Sequence, residues 1–203
     1  MTGEVAAGEV ARVVGFARRE VTDPGALSRN APAFYADPAA WLVAAALDGA
    51  LESGQVTLPD PADDVAMLVA GSVGTTRTID ALRQGAARGV ISPLRFAGGN
   101  PAVLAGLSCL TRRLRGPSLL LAMDPWDAVP VAATVAVSWL VAGHASHVVV
   151  ATHHVIGGRE SVRCVVLAAA ACAQDRIVPH AVRQLLLHQL RRLLLPDPRQ
   201  VTG

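Results

Sequence analysis

The residues with the most chemical potential lie in one turn, Asp124-Pro125-Trp126-Asp127, between an apolar run and a long apolar helix. Backbone amides at the start of a helix stabilise negative charge, so such a turn can support a nucleophile or an oxyanion. This turn offers two carboxylates but no cysteine or serine. A carboxylate there, with His153 or His154 as its partner, would suit an acyltransferase or a hydrolase.

Pro130 bears on where the helix after this turn begins. Proline has no N–H and its ring clashes with the carbonyl four residues earlier when it lies deep in a helix. We therefore expect Pro130 in the first turn, which places the helix start near Trp126 or Asp127. Asp127 is then the expected N-cap, because a carboxylate there can accept from the free amides of the first turn.

Two other groupings carry weaker chemistry. His144, His147, His153 and His154 crowd around one predicted strand, which raises the possibility of a metal site. Successive strand residues point to opposite faces, however, and no acidic residue is adjacent to His153 or His154 in the sequence. Residues 71–76 follow a strand and open a helix, so their amides could bind an anion, but the lysine of a phosphate loop is missing. A structural turn is favoured there.

Neither the serines nor the cysteines form a recognisable site. Ser72, Ser118 and Ser138 have no evident histidine partner and no nucleophile-elbow motif. The three cysteines, an odd number without a CxxC pair, read as small buried residues: Cys109, Cys164 and Cys172. No metal and no cofactor is predicted.

Composition limits the class of protein. With 203 residues, of which 52% are hydrophobic and 17% charged, the chain can form the core of one domain, and we expect a single domain over residues 1–203. The net charge of +2, with arginines spread along the chain, argues against nucleic-acid binding. The longest uncharged apolar stretch, residues 128–143, is shorter than the ~18–20 residues that span a bilayer, and the N-terminus lacks a signal peptide's basic region. No membrane association and a cytoplasmic location are expected.

The element pattern predicts a layered α/β fold in which helices cover a five-stranded mixed sheet. The predicted strands are short apolar runs, at residues 10–16, 65–70, 118–123, 147–151 and 162–167. Asp37-Pro38, Asn100-Pro101 and the 124–127 turn mark helix starts that end at Gly54, Gly116 and Gly143, and further helices are expected over residues 76–87 and 179–195. The last two strands should form an antiparallel pair around Gly157-Gly158. The leucines of the terminal helix favour core packing over a partner-binding face.

Several short motifs in order resemble the N-terminal half of a β-ketoacyl synthase, which has the thiolase fold. They are residues 65–74, Ile91-Ser92-Pro93 with Phe96 and Asn100, Gly116-Pro117-Ser118-Leu119, and the helix after Trp126. The similarity covers residues 63–155. The positions that match family motifs are Gly74, Pro93, Phe96, Asn100, Gly116 and Pro117. The family's half-fold has the element order β-α-β-α-β-α-β-β with an antiparallel last strand, in agreement with the periodicity.

The resemblance implies a lost active site. The family's cysteine falls at Pro125, give or take one residue, and proline has neither a thiol nor an N–H. Asp124, Pro125, Trp126 and Asp127 therefore form a degenerate nucleophile elbow. The family's two histidines belong to a second half, and His180 and His188 match neither motif. No catalytic residue is assigned on this interpretation.

Family members without the cysteine are chain length factors, which pair with an active ketosynthase. The resemblance thus implies a truncated, non-catalytic partner of this kind in bacterial polyketide, polyene or fatty-acid-like biosynthesis. It would form a heterodimer with a ketosynthase or a homodimer, with acyl carrier protein as a further partner. In this family the strand before the nucleophile pairs at a dimer axis; here it carries Ser118, Leu119, Leu120 and Leu121, and a charge at Leu120 should break the dimer. The alternatives are the Asp/His acyltransferase or hydrolase, and a self-associating acyl-binding scaffold.

Overall fold

A five-stranded mixed sheet forms the centre of the computed structural model, which describes residues 10–29, 35–59, 62–170 and 180–197. Its strands are β1 (Ala11–Val21), β2 (Val65–Ala70), β3 (Ser118–Leu121), β4 (His147–Ile156) and β5 (Arg159–Ala169). The helices are α1 (Pro38–Gly54), α2 (Thr76–Ala87), α3 (Pro93–Gly98), α4 (Val103–Arg112), α5 (Pro125–Val141) and α6 (His180–Leu194), with a 3₁₀ turn at Pro24–Leu27. The predicted fold class is confirmed.

The strands lie side by side in the order β1-β5-β4-β2-β3. β2 is parallel to both β3 and β4, whereas β5 is antiparallel to both of its neighbours, β1 and β4. Ala70 of β2 is level with Leu121 of β3 and Thr152 of β4, so the carboxyl ends of these three strands share one edge of the sheet. The residues that follow them, the 124–127 turn and the two histidines of β4, are brought to that edge.

Helices cover both faces of the sheet, which explains the unbroken apolar runs of its central strands. All six residues of β2 are buried. One face packs against α5 and α6, and the other against α1 and α4. Leu186, Leu190 and Leu194 of α6 are buried in the first of these cores, as the core-packing interpretation of that helix predicted. Pro179, where that helix was predicted to start, lies outside the described residues.

Several element boundaries differ from the prediction. β4 and β5 continue past the predicted ends as an antiparallel hairpin that turns at Gly157 and Gly158, both with positive φ. The extra residues include polar side chains, which an apolar pattern cannot detect. The helix after Asn100 ends at Arg112 rather than Gly116, because Arg113 adopts the left-handed conformation (φ 54°). β3 ends at Leu121, and α3 was not predicted at all.

Asp37 fixes two helix starts at once. Its Oδ1 accepts a hydrogen bond from the Ala39 amide of α1 at 2.9 Å, and its Oδ2 accepts one from the Thr78 amide of α2 at 2.9 Å. The first bond is the predicted cap of α1. The second was not predicted, and it places a buried carboxylate at the amide end of α2. Among the described residues, every helix is too short or too polar to pass through a lipid bilayer.

Candidate functional site

The 124–127 turn connects β3 to α5 and is built around Asp124. Its side chain accepts a hydrogen bond from the Trp126 amide at 2.8 Å, and Pro125 is the first helical residue. The prediction that Asp127 caps this helix is therefore wrong. Asp127 lies inside the first turn, where its negative charge still favours the helix dipole. Proline is well suited to the first helical position. Pro125, and not Pro130, therefore marks where the helix begins.

Pro130 lies inside α5, beyond the first turn where it was predicted. The helix starts at Pro125 because the Asp124 cap and the fixed φ of Pro125 agree on that position. Pro130 has no N–H to donate to the Trp126 carbonyl four residues earlier. The helix tolerates this loss, while the neighbouring Ala128 and Val129 are fully buried against the sheet.

The amides at the start of α5 are all accounted for. Pro125 has none, the Trp126 amide binds the Asp124 side chain, and the Asp127 and Ala128 amides donate to the Asp124 carbonyl at 3.1 and 2.9 Å. A thiolate or an acyl oxyanion at this turn would need at least one of these donors. The turn thus connects a strand to a helix but has no free amide to stabilise developing negative charge.

His154 lies on the same face of the sheet as α5 and α6, and its side chain makes structural hydrogen bonds there. Its Nε2 donates to the Leu194 carbonyl of α6 at 3.0 Å and lies 3.0 Å from Thr152 Oγ1, whose hydroxyl donates to the same carbonyl at 2.6 Å. Burial lowers the pKa of His154 to about 4, although the nearby Asp124 charge opposes this shift. The ring is therefore neutral at pH 7 and holds the end of α6.

His153 points to the opposite face, as the alternation along a strand predicts. There its Nε2 lies 2.9 Å from Glu160 Oε2, and the other carboxylate oxygen of Glu160 accepts from Arg77 Nε at 2.9 Å and Nη2 at 2.8 Å. This His153–Glu160–Arg77 cluster was missed, because Glu160 is seven residues away in the sequence and reaches His153 diagonally across the hairpin. The sequence sign of this cluster was Glu160 itself, an acidic residue just after the Gly157-Gly158 turn.

The cluster is buried on the carboxylate side and half exposed at Arg77. Hydrogen bonds from His153 and Arg77 hold the pKa of Glu160 below its usual value, against the opposing effect of burial. His153 Nδ1 has no hydrogen-bond partner among the described residues, and it faces Gly71, where an added Cβ would lie 3.6 Å from it. The space beside this ring depends on the absence of a side chain at Gly71.

The sheet therefore separates the groups that an Asp/His enzyme would combine. Asp124 and His154 lie on the same face, but Asp124 binds the start of α5 and His154 binds the end of α6. His153 belongs to the cluster on the other face. Among the described residues, no three histidine, cysteine, aspartate or glutamate side chains are grouped so that they could hold a metal ion.

The turn at residues 71–76 is occupied by the protein's own groups. The Thr78 amide of the following helix is bound by Asp37, and the Thr75 hydroxyl donates to the Gly99 carbonyl at 2.7 Å. Gly74 has φ +56°. A carboxylate from the chain thus takes the place that an external anion would take, in line with the structural interpretation of this turn.

The family-motif positions have identifiable structural roles. Pro93 begins α3, and the Asn100 side chain accepts from the Ala102 amide at 3.0 Å. An added Cβ at Gly116 would approach the Val65 carbonyl group to 2.6 Å, and the Pro117 carbonyl accepts from the Met67 amide at 2.9 Å. These two residues bring β3 against β2. Phe96, by contrast, is 69% exposed.

Within the part of the chain that the structure describes, β3 lies at the edge of the sheet and pairs with β2 alone. The Pro117 carbonyl accepts from the Met67 amide of β2 at 2.9 Å, and the Leu121 carbonyl accepts from the amide of Gly71, just after β2, at 3.1 Å. Because backbone groups alternate in direction along a strand, Ser118 and Leu120 direct their N–H and C=O groups away from the sheet. The Ser118 side chain is exposed and the three leucines are half-buried.

Two of the cysteines can be placed. Cys164 is fully buried in β5, and burial raises its pKa; burial also raises the pKa of Cys109 in α4. Thiols whose pKa is raised in this way are poor nucleophiles at neutral pH. Cys172 lies outside the described residues.

Comparison with solved structures identifies the fold. The ishigamide ketosynthase/chain length factor is matched with a TM-score of 0.64 and 14% identity, over 82% of this chain and 64% of that chain. A type II polyketide synthase acyl-carrier protein in complex with its ketosynthase bound to the hexaketide gives a TM-score of 0.60 and 15% identity, over 79% of this chain and 63% of that chain. The ketosynthase ApeO in complex with its chain length factor ApeC, from Xenorhabdus doucetiae, gives 0.56 and 12%, over 90% of this chain and 92% of that chain.

The chain thus has the thiolase fold of ketosynthase and chain length factor proteins, as the sequence motifs indicated. It spans less than two thirds of the chains matched in the first two of these structures. No protein-family model matches the sequence, and no curated protein matches it.

Proposed function

We propose that this protein is a non-catalytic, chain-length-factor-like partner of a ketosynthase in bacterial polyketide, polyene or fatty-acid-like biosynthesis. The observation that carries the proposal is the turn at residues 124–127. The resemblance to the family places the nucleophile at this strand-to-helix turn, but Pro125 has no thiol and the neighbouring amides are bound to Asp124. Such a subunit contributes through assembly with an active partner rather than through its own chemistry.

The edge strand β3 is the proposed contact with that partner. An exposed edge with an apolar sequence is a template for pairing with another chain, and native proteins usually cover it. The outward N–H and C=O groups of Ser118 and Leu120 provide hydrogen bonds for an antiparallel neighbour. A second copy of this chain or a ketosynthase with a similar edge strand would meet the same requirement.

A second surface supports association. Four apolar side chains around α3 are more than half exposed: Val90, Ile91, Leu94 and Phe96. Grouped exposed apolar residues of this kind mark interaction sites in soluble proteins. Burial of the Phe96 side chain, which is 69% exposed, would add apolar area to an interface with a partner.

The descriptions of the matched structures support the choice of partners. One is a ketosynthase/chain length factor, and two are complexes, of a ketosynthase with a chain length factor and of a ketosynthase with an acyl-carrier protein. In the complex of the ketosynthase ApeO with its chain length factor ApeC, the match covers 92% of the matched chain. We propose the same two partners here, a ketosynthase first and an acyl carrier protein through it, with a cytoplasmic location.

Co-expression with a ketosynthase encoded next to this protein tests the pairing. We expect a one-to-one complex by size-exclusion chromatography with light scattering. Ser118→Pro removes one outward N–H while leaving the β2 hydrogen bonds in place, and should abolish or strongly weaken the complex. Ser118→Ala keeps the N–H and is the matched control. Leu120→Asp should also break the complex, but Leu120 is half-buried, so its folding must be checked by circular dichroism.

The outcomes separate the alternatives. A complex that survives Ser118→Pro would exclude the β3 interface. A homodimer that never binds a ketosynthase would favour the self-associating acyl-binding scaffold. An acyl adduct on Asp124 or Asp127, seen by mass spectrometry after incubation with acyl-loaded carrier protein, would replace this proposal with an acyltransferase or hydrolase.

A further inference from the structure

An open pocket of about 640 Å³ lies where the first turn of α5, the middle of β5 and the end of α6 meet. Four of its lining residues are basic or ionisable nitrogen side chains, and one is an indole that is 39% exposed. The lining consists of Trp126, Arg163, His188, Arg191, Arg192, Leu195, Pro196 and Asp197. Its volume falls within the roughly 300–1,000 Å³ range of small-molecule sites.

The arginines of this pocket have no carboxylate partner in the part of the chain that the structure describes. Within residues 10–29, 35–59, 62–170 and 180–197, no carboxylate lies within ion-pair distance of Arg163, Arg191 or Arg192. One carboxylate, Asp197, belongs to the lining. Three guanidinium groups against one carboxylate leave the pocket with positive charge.

Arg163 gives an independent indication of an anion site. It comes from β5, and its Nε is buried without a hydrogen-bond partner in the described structure, while Nη1 makes a long contact of 3.4 Å to the Leu193 carbonyl. Burial and the nearby Arg18 charge lower the pKa of Arg163, and Glu20 offsets this only in part. A buried guanidinium N–H without an acceptor is costly, so a bound anion would stabilise this side chain.

Two of the pocket's arginines have a structural explanation that needs no ligand. Arg191 and Arg192 lie in the last turn of α6, where positive charge offsets the negative end of the helix dipole. That accounts for their position on α6. It does not account for the convergence of Arg163 from a different element, for its unpartnered Nε, or for the exposed indole of Trp126 beside them.

We propose that this pocket binds a small phosphate ester with a planar organic group. A guanidinium group binds phosphate oxygens through paired N–H donors, and a phosphate offers enough acceptors for several arginines at once, whereas a carboxylate is saturated by one or two. The partly exposed indole of Trp126 lines the pocket and provides an aromatic surface for the organic part. This site is independent of the pairing with a ketosynthase.

Titration with AMP, inorganic phosphate and adenosine, followed by tryptophan fluorescence and calorimetry, tests the site. We expect saturable binding of AMP, weaker binding of phosphate and none of adenosine. Arg191→Gln and Arg192→Gln should each weaken AMP binding by at least about tenfold. Arg88→Gln is the matched control, since Arg88 is exposed at the end of α2 and does not line the pocket. Trp126→Phe should remove the fluorescence response while calorimetry still detects binding.

Three results would overturn the proposal. They are no saturable binding of AMP or phosphate at millimolar concentration, an equal loss of affinity in Arg88→Gln, and binding of an acidic peptide without any effect of phosphate. Melting curves of the arginine variants show whether each remains folded. A loss of AMP binding in a folded Arg192→Gln protein supports the site whatever the result of the ketosynthase experiment.

Discussion

His153 Nε2 and Glu160 Oε2 lie 2.9 Å apart inside the protein, on two strands that turn back on each other at Gly157 and Gly158. Arg77 of α2 completes the ion-pair cluster from outside the sheet. Together with Arg77, the pair therefore joins the β4–β5 hairpin to the helix that follows β2, two distant parts of the sequence.

Glu160→Gln should destabilise the protein by about 2–3 kcal/mol, because it removes the buried carboxylate charge that pairs with Arg77 and lies beside His153 Nε2. The effect is limited by Arg77, which is half exposed and can turn to solvent. Urea unfolding measures the change. Glu52→Gln, at an exposed position on α1, should change the free energy of unfolding by less than about 0.5 kcal/mol, and an equal loss in both variants would contradict the assigned role of the cluster.

Stability should fall as the pH drops from 6.5 to about 4, because the pKa of His154 is lowered to about 4 in the folded protein. The unfolded chain then takes up a proton that the folded protein does not, so acid favours unfolding in this window. Glu160, whose pKa is also lowered, extends the loss to lower pH, since its stabilising charge is present above its unfolded pKa and is lost as the folded group is protonated. His154→Gln keeps a donor for the Leu194 carbonyl and does not titrate.

Urea unfolding at several pH values tests this. The His154→Gln variant should show a shallower decline between pH 6.5 and about 4 than the wild type. Some decline remains, because burial also lowers the pKa of His147. Parallel curves for the variant and the wild type would mean that His154 does not carry the effect.

Asp124→Ala should cost about 1 kcal/mol, because the Trp126 amide loses its acceptor at the start of α5. Asp127→Ala should cost less than half of that, since Asp127 contributes only through the helix dipole. Thermal or urea unfolding of the two variants compares them directly. A larger effect at Asp127 would restore the assignment of Asp127 as the cap.

Gly116→Ala should destabilise the protein by about 2 kcal/mol or more, because the new Cβ would meet the Val65 carbonyl group at 2.6 Å and backbone would have to move. Gly106→Ala, in the middle of α4, is the matched control. No atom lies within 4 Å of the added Cβ there, and alanine favours the helix, so this variant should gain about 0.5–1 kcal/mol. Opposite signs in chemical unfolding are the expected result, and a neutral Gly116→Ala would contradict the close approach of β3 to β2.

The fold was predictable because its central strands are apolar and its helix starts are marked by polar caps. Val65–Ala70 and Thr76–Ala87 were found at their observed bounds. The polar end of the hairpin was not, since residues such as Glu160 are stabilised by partners that only the register of β4 and β5 brings near. The sequence favours Asp127 over Asp124 as the cap because Pro130 is expected in the first turn, and tertiary burial of α5 overrides that local preference.

The two edges of the sheet differ in a way that limits assembly. β1, at the edge opposite β3, has an irregular register between Val13 and Gly15 and carries Arg12, Arg18, Arg19 and Glu20. Bulges and charges of this kind discourage a further strand from adding. If β3 is used for pairing, growth of the sheet ends on the far side of each partner. The stoichiometry is then fixed at two chains, and the sheet cannot propagate into a fibre.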